Sequence, residues 1–256
     1  MARMIQRLLK ETKGQLVSFN GGTKDNAIPR ECEASLIYES DEEAAKAEEL
    51  ACELAETYAE ELTPAEPDFS CEISCETNRT AEAIPQDAAK EFICAMRLAP
   101  NGIQKRNIKM DGFVVVSLNL GVVRTEEDRI VMIFSPRSSV ASLQEDTKER
   151  LNTLAETFGF TVSHSSEYPG WSFKEDSPVR EICKESYKEL FGEDLKIEAI
   201  HAGLECGLFS DAIKGLDAIA IGPTIANCHT PDEYLTLDSF ERFYEFLKDI
   251  LSRLAK

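Results

Sequence analysis

Apolar residues recur at every third or fourth position along six stretches of the chain, which is the spacing of an amphipathic helix. These stretches predict helices at residues 2–12, 41–62, 86–98, 138–158, 177–191 and 237–254. Shorter apolar or alternating runs predict strands at residues 15–20, 27–38, 69–76, 113–120, 129–134, 160–166, 195–200 and 216–221. Two helix starts carry capping residues, because Ser40 or Asp41 can cap the second helix and Ser177 precedes Pro178 in the fifth.

The order helix, strand, strand, helix, strand occurs twice in the first 166 residues. The first copy covers about residues 1–77 and the second covers about residues 86–166. Each copy has the size of a supersecondary unit rather than of a solenoid module. We therefore predict a duplicated αββαβ domain of the α+β class, whose strands could form one continuous sheet.

The last third of the chain, residues 167–256, contributes few strands and indicates part of an α/β domain. Two short apolar runs, 195–200 and 216–221, flank a helical interval and predict a strand, crossover, strand unit. In open sheets of this type, ligands bind at the carboxyl ends of the strands. The residues that would lie there are His201, Gly203, Glu205 and His229.

Composition and charge exclude several classes of function. The chain has 256 residues, of which 43% are hydrophobic, so it can bury a substantial core. A formal net charge of -19 argues against nucleic acid and anionic membrane surfaces as partners. We expect a cytoplasmic protein, because no apolar run approaches the roughly 18 residues of a membrane span and residues 1–12 lack a signal-peptide centre. The eight cysteines show no CxxC pair, which favours free thiols over disulfides or a zinc knuckle.

The residues of the last third also suggest chemistry. His229 lies in a polar loop, where a neutral imidazole can bind a metal ion or simply remain solvated. Gly203 lies in a turn where backbone N–H groups could hold a carboxylate or an oxyanion, although glycine could also merely permit the turn. Glu205 stands between Leu204 and Cys206, so we expect its carboxylate to be paired or to face the site.

Two residues of the first 166 are further candidates for binding a substrate. Arg137 follows an apolar strand, and its planar guanidinium could pair with a carboxylate; the alternative is a surface salt bridge. Asn26 could donate a hydrogen bond to a carbonyl or carboxylate; the alternative is a simple turn former.

Several motifs together resemble those of a known enzyme family. HAGLECG at 201–207, IGPTI at 221–225 and HTPDE at 229–233 are similar to the end of an aminoacyl-histidine dipeptidase, also called Xaa-His dipeptidase or peptidase D. Members of this family are two-zinc metallopeptidases of the aminoacylase and carboxypeptidase G clan. The resemblance continues in order through the rest of the chain, at PGW (169–171), SLNLG (117–121), GGT (21–23) and NAIPRE (26–31).

The resemblance implies a domain organisation. Family members have a catalytic α/β domain interrupted by an inserted lid domain. Residues 1–166 resemble the lid, which can also serve in dimerisation, and residues 167–256 resemble the C-terminal part of the catalytic domain. The family's opening segment, which holds the His-x-Asp pair, further acidic zinc ligands and the general base, has no counterpart among these residues. None of the three histidines belongs to an HxD or HExxH motif that could replace them.

The resemblance also implies residue roles. His229 would be a zinc ligand, Asn26 and Arg137 would bind substrate, and no catalytic base would come from this chain. Gly203 and Glu205 are also candidates for binding substrate, on the grounds given above for the residues themselves. The expected reaction is hydrolysis of a dipeptide by a zinc-bound water, with two zinc ions in a complete site. We expect the isolated chain neither to retain zinc nor to be active.

The sequence leaves the partner, the function and the origin of the chain open. The expected partners are a dipeptide substrate and either a second copy of the chain or an N-terminal segment. The alternative function is a non-catalytic binding or dimerisation protein derived from such a peptidase. The sequence leaves open whether the chain is a fragment, a product of a misplaced start codon or half of a split enzyme.

Overall fold

The computed structural model describes residues 1–108, 112–165, 169–171, 173–198, 204–228 and 232–255. These residues form a mixed α/β fold, as predicted, with seven helices and seven strands among them. The elements are α1 (Ala2–Glu11), β1 (Gln15–Gly21), β2 (Cys32–Ile37), α2 (Asp41–Leu62), α3 (Gln86–Leu98), β3 (Gly102–Asn107), β4 (Phe113–Thr125), β5 (Ile130–Ser138), α4 (Ala141–Phe158), α5 (Pro178–Phe191), α6 (Glu205–Ala212), β6 (Ile225–Ala226), β7 (Tyr234–Leu235) and α7 (Leu237–Leu254).

The main sheet has five strands. Its order is β2-β1-β4-β3, and β5 also pairs with β4. β1 and β2 are antiparallel from Gln15 opposite Ile37 to Gly21 opposite Cys32. β1 meets β4 at Gly21 and Val123. Side chains add to this junction, because the Phe19 N–H donates to the Thr125 hydroxyl over 2.8 Å. The sheet thus joins the first strand of the chain to a strand about 100 residues later.

The chain divides into two compact units. The first contains Met1–Lys105, Val116–Pro136 and Glu145–His164, and the second contains Arg106–Val115, Arg137–Gln144 and Ser165–Lys256. The predicted assignment of residues 1–166 to a lid and 167–256 to a catalytic segment stays a prediction.

The core of the first unit lies between β1 and the helices α1, α2 and α3. Leu16 and Phe19 of β1 are fully buried and pack with Ile5 of α1 and Ile93 of α3. Phe19 also contacts Phe92 edge to face, with ring centroids 5.4 Å apart. Apolar positions at helical spacing therefore produced one continuous core on this face of the sheet.

The core of the second unit is smaller. Cys183 of α5 packs with Phe246 and Ile250 of α7. A buried polar contact joins the same two helices, since the fully buried Ser186 hydroxyl donates to the Asp249 carboxylate over 2.6 Å.

Helix boundaries follow the sequence signals closely. α2 and α3 have the predicted limits. The Ser40 hydroxyl accepts from the Glu43 N–H over 3.3 Å, and the Ser177 hydroxyl accepts from the Arg180 N–H over 3.2 Å. Gly192 ends α5 with a φ of 71°. α4 starts three residues later than predicted, because Ser138 is still part of β5.

Four predicted strands are wrong within the described residues: 69–76, 160–165, 195–198 and 216–221 carry no strand. A strand needs a hydrogen-bonded neighbour, and periodicity alone does not supply one. Cys71 and Ile73 show the difference, since both face the core of the first unit without joining a ladder. The last strand of each predicted αββαβ copy and the strand, crossover, strand unit are therefore not formed in these ranges.

The structure contains strands that the pattern did not predict. β3 has the sequence GIQKRN and is largely exposed, so it lacks a hydrophobic signal. β6 and β7 pair antiparallel over two residues each. No helix among the described residues is long and apolar enough to cross a membrane.

Candidate functional site

Asn26 lies on an exposed loop of the first unit, between β1 and β2. The Ala27 N–H donates to the Lys24 carbonyl over 3.3 Å, so Asn26 is the third residue of a turn. The side-chain amide of Asn119, on β4, donates to the carbonyls of Asp25 and Ala27 over 2.7 and 2.8 Å. Those carbonyls flank Asn26 in the chain. The backbone of Asn26, which carries an exposed side-chain amide, is therefore restrained on both sides by hydrogen bonds from Asn119.

An open cleft runs along the same loop. It has a volume of about 670 Å³ and is lined by residues 20–21 of β1, 22–25 of the loop, 122–124 of β4 and Ile133 of β5. The lining includes the cations Lys24 and Arg124, and Arg124 is already paired with Glu126 at 3.0 Å. Asn26 directly follows the last loop residue of this lining.

Arg137 is the penultimate residue of β5 and is half-buried. Among the described residues it has no carboxylate within ion-pair distance, so the surface salt bridge considered as its alternative is not formed there. Two hydrogen bonds stabilise the end of β5 directly after Arg137. The Ser138 hydroxyl donates to the Val140 carbonyl over 2.9 Å and accepts from the Val140 N–H over 3.0 Å.

The segment Pro169–Gly170–Trp171, called here the PGW segment, lies between the strand end of Arg137 and helix α6. A Cβ on Gly170 would lie 2.7 Å from the Ser138 carbonyl oxygen. A Cβ on Gly207 of α6 would lie 2.7 Å from the Pro169 carbonyl oxygen. Both distances are shorter than real Cβ contacts, so the backbones approach closely only because these residues are glycines. The PGW segment thus links two of the regions that the sequence singled out.

Glu205 is the first residue of α6 and is exposed. Its charge is favourable there, because the N-terminal end of a helix attracts anions. Leu204 at the N-cap offers no side-chain hydrogen bond. Solvent and the helix end thus accommodate the carboxylate, and its role in substrate binding stays a prediction.

Two of the candidates, Gly203 and His229, lie outside the described residues, as does His201. The remaining histidine, His164, lies 2.9 Å from the Asn152 side-chain oxygen. In the described parts of the chain, no group of three or more His, Cys, Asp or Glu side chains could hold a metal ion. These residues therefore do not assemble a zinc site by themselves, and the ligand role of His229 stays a prediction.

Asp217 caps α5 instead of belonging to a strand. Its carboxylate accepts from the Val179 N–H over 3.0 Å. Partial desolvation raises the pKa of Asp217, but the hydrogen bonds from Val179 and Ser177, together with the charges of Lys174 and Arg180, outweigh it and hold the pKa below the usual range. This residue of the run 216–221 therefore stabilises the start of a helix.

Comparison with known proteins assigns the chain to a family. The model of peptidase family M20/M25/M40 matches residues 22–253, which is most of the chain. The chain belongs to this family. The resemblance based on the sequence motifs is confirmed at this level.

Two dipeptidases are similar along nearly the whole chain. The cytosol non-specific dipeptidase of Escherichia coli (strain K12) is 31% identical over 258 residues, covering 99% of this chain and 52% of the relative. The crystal structure of aminoacylhistidine dipeptidase from Vibrio alginolyticus matches with a TM-score of 0.82 at 32% identity. That match covers 98% of this chain and 52% of the other. The chain therefore spans about half the length of both proteins.

Sequence reasoning missed the residues that hold the candidates in place. Asn119 and Gly170 stand out in the sequence only as letters of the motifs SLNLG and PGW. The available signal was the position of each motif beside an apolar run. The partners of these residues lie far away in sequence and were not visible there.

Proposed function

We propose that this chain is the substrate-binding part of a zinc-dependent dipeptidase of the Xaa-His type. The observation that supports this most is the similarity of 99% of the chain to a protein named a cytosol non-specific dipeptidase. The similar crystal structure is named an aminoacylhistidine dipeptidase, which favours dipeptides ending in histidine. We place the protein in the cytoplasm by analogy with the first of these relatives.

The side chains suit a dipeptide, which carries a free carboxylate close to its one peptide bond. The guanidinium of Arg137 would hold that carboxylate with two parallel N–H groups. Asn26 would donate its side-chain amide to the carbonyl or carboxylate of the substrate. Glu205 at the start of α6 would complete substrate binding, together with Gly203, which precedes it by two positions in the sequence.

The hydrolytic chemistry would need groups beyond the described residues. Zinc, when bound, would supply an activated water for attack on the peptide carbonyl. A catalytic zinc is generally held by three protein ligands, and His229 would be one of them. The general base would come from a polypeptide that corresponds to the other half of the relatives. We therefore expect the 256-residue chain, assayed alone, neither to retain zinc nor to cleave dipeptides.

Exposed apolar residues support association with another polypeptide. Five of them follow one stripe of α7, and between 47% and 75% of each residue is exposed. We call this the α7 stripe: Leu237, Phe240, Tyr244, Leu251 and Leu254. A contiguous apolar patch on a surface favours a protein interface. We propose that a segment equivalent to the half of the relatives that this chain does not match covers it, whether joined to this chain or separate. A second copy of the chain is the alternative.

The test uses the purified 256-residue chain. Its zinc content is measured by atomic absorption, and its turnover is assayed with glycyl-histidine, alanyl-histidine and glycyl-leucine. The assays are repeated with a polypeptide made from the part of the Escherichia coli relative that this chain does not match. We expect zinc binding and turnover only in the mixture. Stoichiometric zinc and turnover by the chain alone would refute the requirement for the second polypeptide. Dipeptide binding without turnover in either arm would favour a non-catalytic binding protein.

A further inference from the structure

Asn119 uses both hydrogens of its side-chain amide on the loop that carries Asn26. The two acceptors are the carbonyls of Asp25 and Ala27, at 2.7 and 2.8 Å. They belong to the residues immediately before and after Asn26, so the two bonds restrain the backbone on either side of that residue. Asn119 itself is half-buried in β4, an inner strand of the sheet. The loop is thereby bound by two hydrogen bonds to an inner strand of the sheet.

Two glycines allow the loop to lie directly on β4. Gly22 has a φ of 72°, and a Cβ there would lie 1.9 Å from the Gly121 carbonyl oxygen. A Cβ on Gly121 would lie 2.3 Å from the Asp25 carbonyl oxygen. Neither contact tolerates a side chain, so the short hydrogen bonds of Asn119 depend on this close approach. The motifs GGT and SLNLG, which are about 100 residues apart in sequence, therefore pack directly against each other.

We propose that Asn119 is a positioning residue for Asn26. By holding the two flanking carbonyls, it fixes the backbone from which the Asn26 amide reaches the substrate. The link to substrate rests on the proposed dipeptidase function, whereas the hold on the loop does not. Asn119 would not touch the substrate, and its loss would act through the loop.

The first test is amide hydrogen exchange, followed by NMR on the full chain. The reporters are the N–H groups of Gly22 and Ala27, which donate to the Glu31 and Lys24 carbonyls. Asn119→Ala removes the donors, and Asn119→Asp replaces them with oxygens that face two carbonyls. We expect exchange at both reporters to become at least about 10-fold faster, with amides of β1 and α3 unchanged, because only the local opening is affected.

A matched control exists in the same unit. The side-chain amide of Gln104 also donates to two carbonyls, those of Asn101 and Gly102, at 2.9 and 3.3 Å. Gln104→Ala should leave exchange at Gly22 and Ala27 unchanged. Unchanged exchange in both Asn119 variants would overturn the proposal. An equal rise throughout β1 and α3 would also overturn it, because Asn119 would then stabilise the whole unit rather than the loop.

The second test is dipeptide turnover in a mixture of this chain with the polypeptide made from the part of the Escherichia coli relative that the chain does not match. We call the latter the complementary polypeptide. We expect Asn119→Ala and Asn26→Ala to lower kcat/KM by similar factors, and the double variant to lose little more, because both changes remove one interaction. Faster exchange without loss of turnover in Asn119→Ala, while Asn26→Ala loses turnover, would overturn the positioning role. If Asn26→Ala has no effect, the substrate role proposed for Asn26 is wrong, and the exchange measurement still decides whether Asn119 holds the loop.

Discussion

Among single residues, Arg137 has the features of a cation that binds a ligand. It is half-buried, and it has no ion-pair partner among the described residues. Hydrogen bonds to charged groups contribute about 1.5–3 kcal/mol, so Arg137→Ala should lower kcat/KM of the mixture by about 10- to 100-fold. Arg137→Lys should recover part of this loss, because lysine keeps the charge but not the planar fork.

The matched control for Arg137 is Arg129→Ala, because Arg129 is already paired with Glu126 on the surface, at 2.7 Å. Steady-state kinetics with alanyl-histidine should show little change for this variant. Equal losses in the two variants would mean that Arg137 has no special role in substrate binding.

Cys32 is a half-buried thiol of β2 that should ionise less easily than an ordinary cysteine. Desolvation by burial raises its pKa from 9.0 to about 11. The folded state therefore favours the neutral thiol, and this contribution to stability is present below pH 9 and lost as the pH rises towards 11. We expect iodoacetamide at pH 8 to modify the exposed Cys52 well before Cys32, as followed by mass spectrometry.

The pH dependence of unfolding gives the second readout for Cys32. Thermal unfolding of the chain should show a loss of stability above pH 9 that is smaller in Cys32→Ala. Rapid modification of Cys32 in the folded chain, at the rate of Cys52, would contradict the predicted burial.

At the scale of elements, the contact between α6 and the PGW segment should depend on Gly207. Alanine normally favours a helix over glycine, but a Cβ here would lie 2.7 Å from the Pro169 carbonyl oxygen. We expect Gly207→Ala to destabilise the chain by about 1–3 kcal/mol, as overpacking does. Urea denaturation followed by circular dichroism would measure this.

Gly222 provides the control for that substitution. It lies in the same unit, and a Cβ there would have no neighbour within 4 Å. Gly222→Ala should therefore be neutral or slightly stabilising, because it restricts the unfolded chain. A Gly207→Ala variant as stable as Gly222→Ala would show that the PGW segment does not need the close approach.

At the scale of the whole molecule, the α7 stripe should govern association with the complementary polypeptide. Leu251→Glu places a charge where we expect an apolar interface, and burying a leucine contributes about 1.5–3 kcal/mol. The dissociation constant of the mixture, measured by isothermal titration calorimetry, should rise at least about 10-fold. Leu98→Glu is the control, because Leu98 is exposed at the end of α3 in the other unit.

The strands show which parts of the sheet a sequence pattern can predict and which it cannot. The apolar runs of β1, β4 and β5 were recognised, and each of these strands has a partner in the sheet. The run 216–221 is equally apolar but forms no strand, and Asp217 within it caps α5. The difference is the presence of a neighbouring strand, which local periodicity cannot show. The polar edge strand β3 escaped prediction because it is largely exposed and carries no hydrophobic signal.

The sequence by itself determined the helices, their caps and the family. Helical spacing and a capping hydroxyl act within a few residues, so α2 and α3 have their predicted limits. The motifs identified the family because short runs of residues, such as HAGLECG, can be compared with those of family members without knowledge of the fold. Only the tertiary structure decided which strands pair, and that Asn119 and Gly121 hold the loop of Asn26. These contacts join residues about 100 positions apart, and their distances depend on how the whole sheet is assembled.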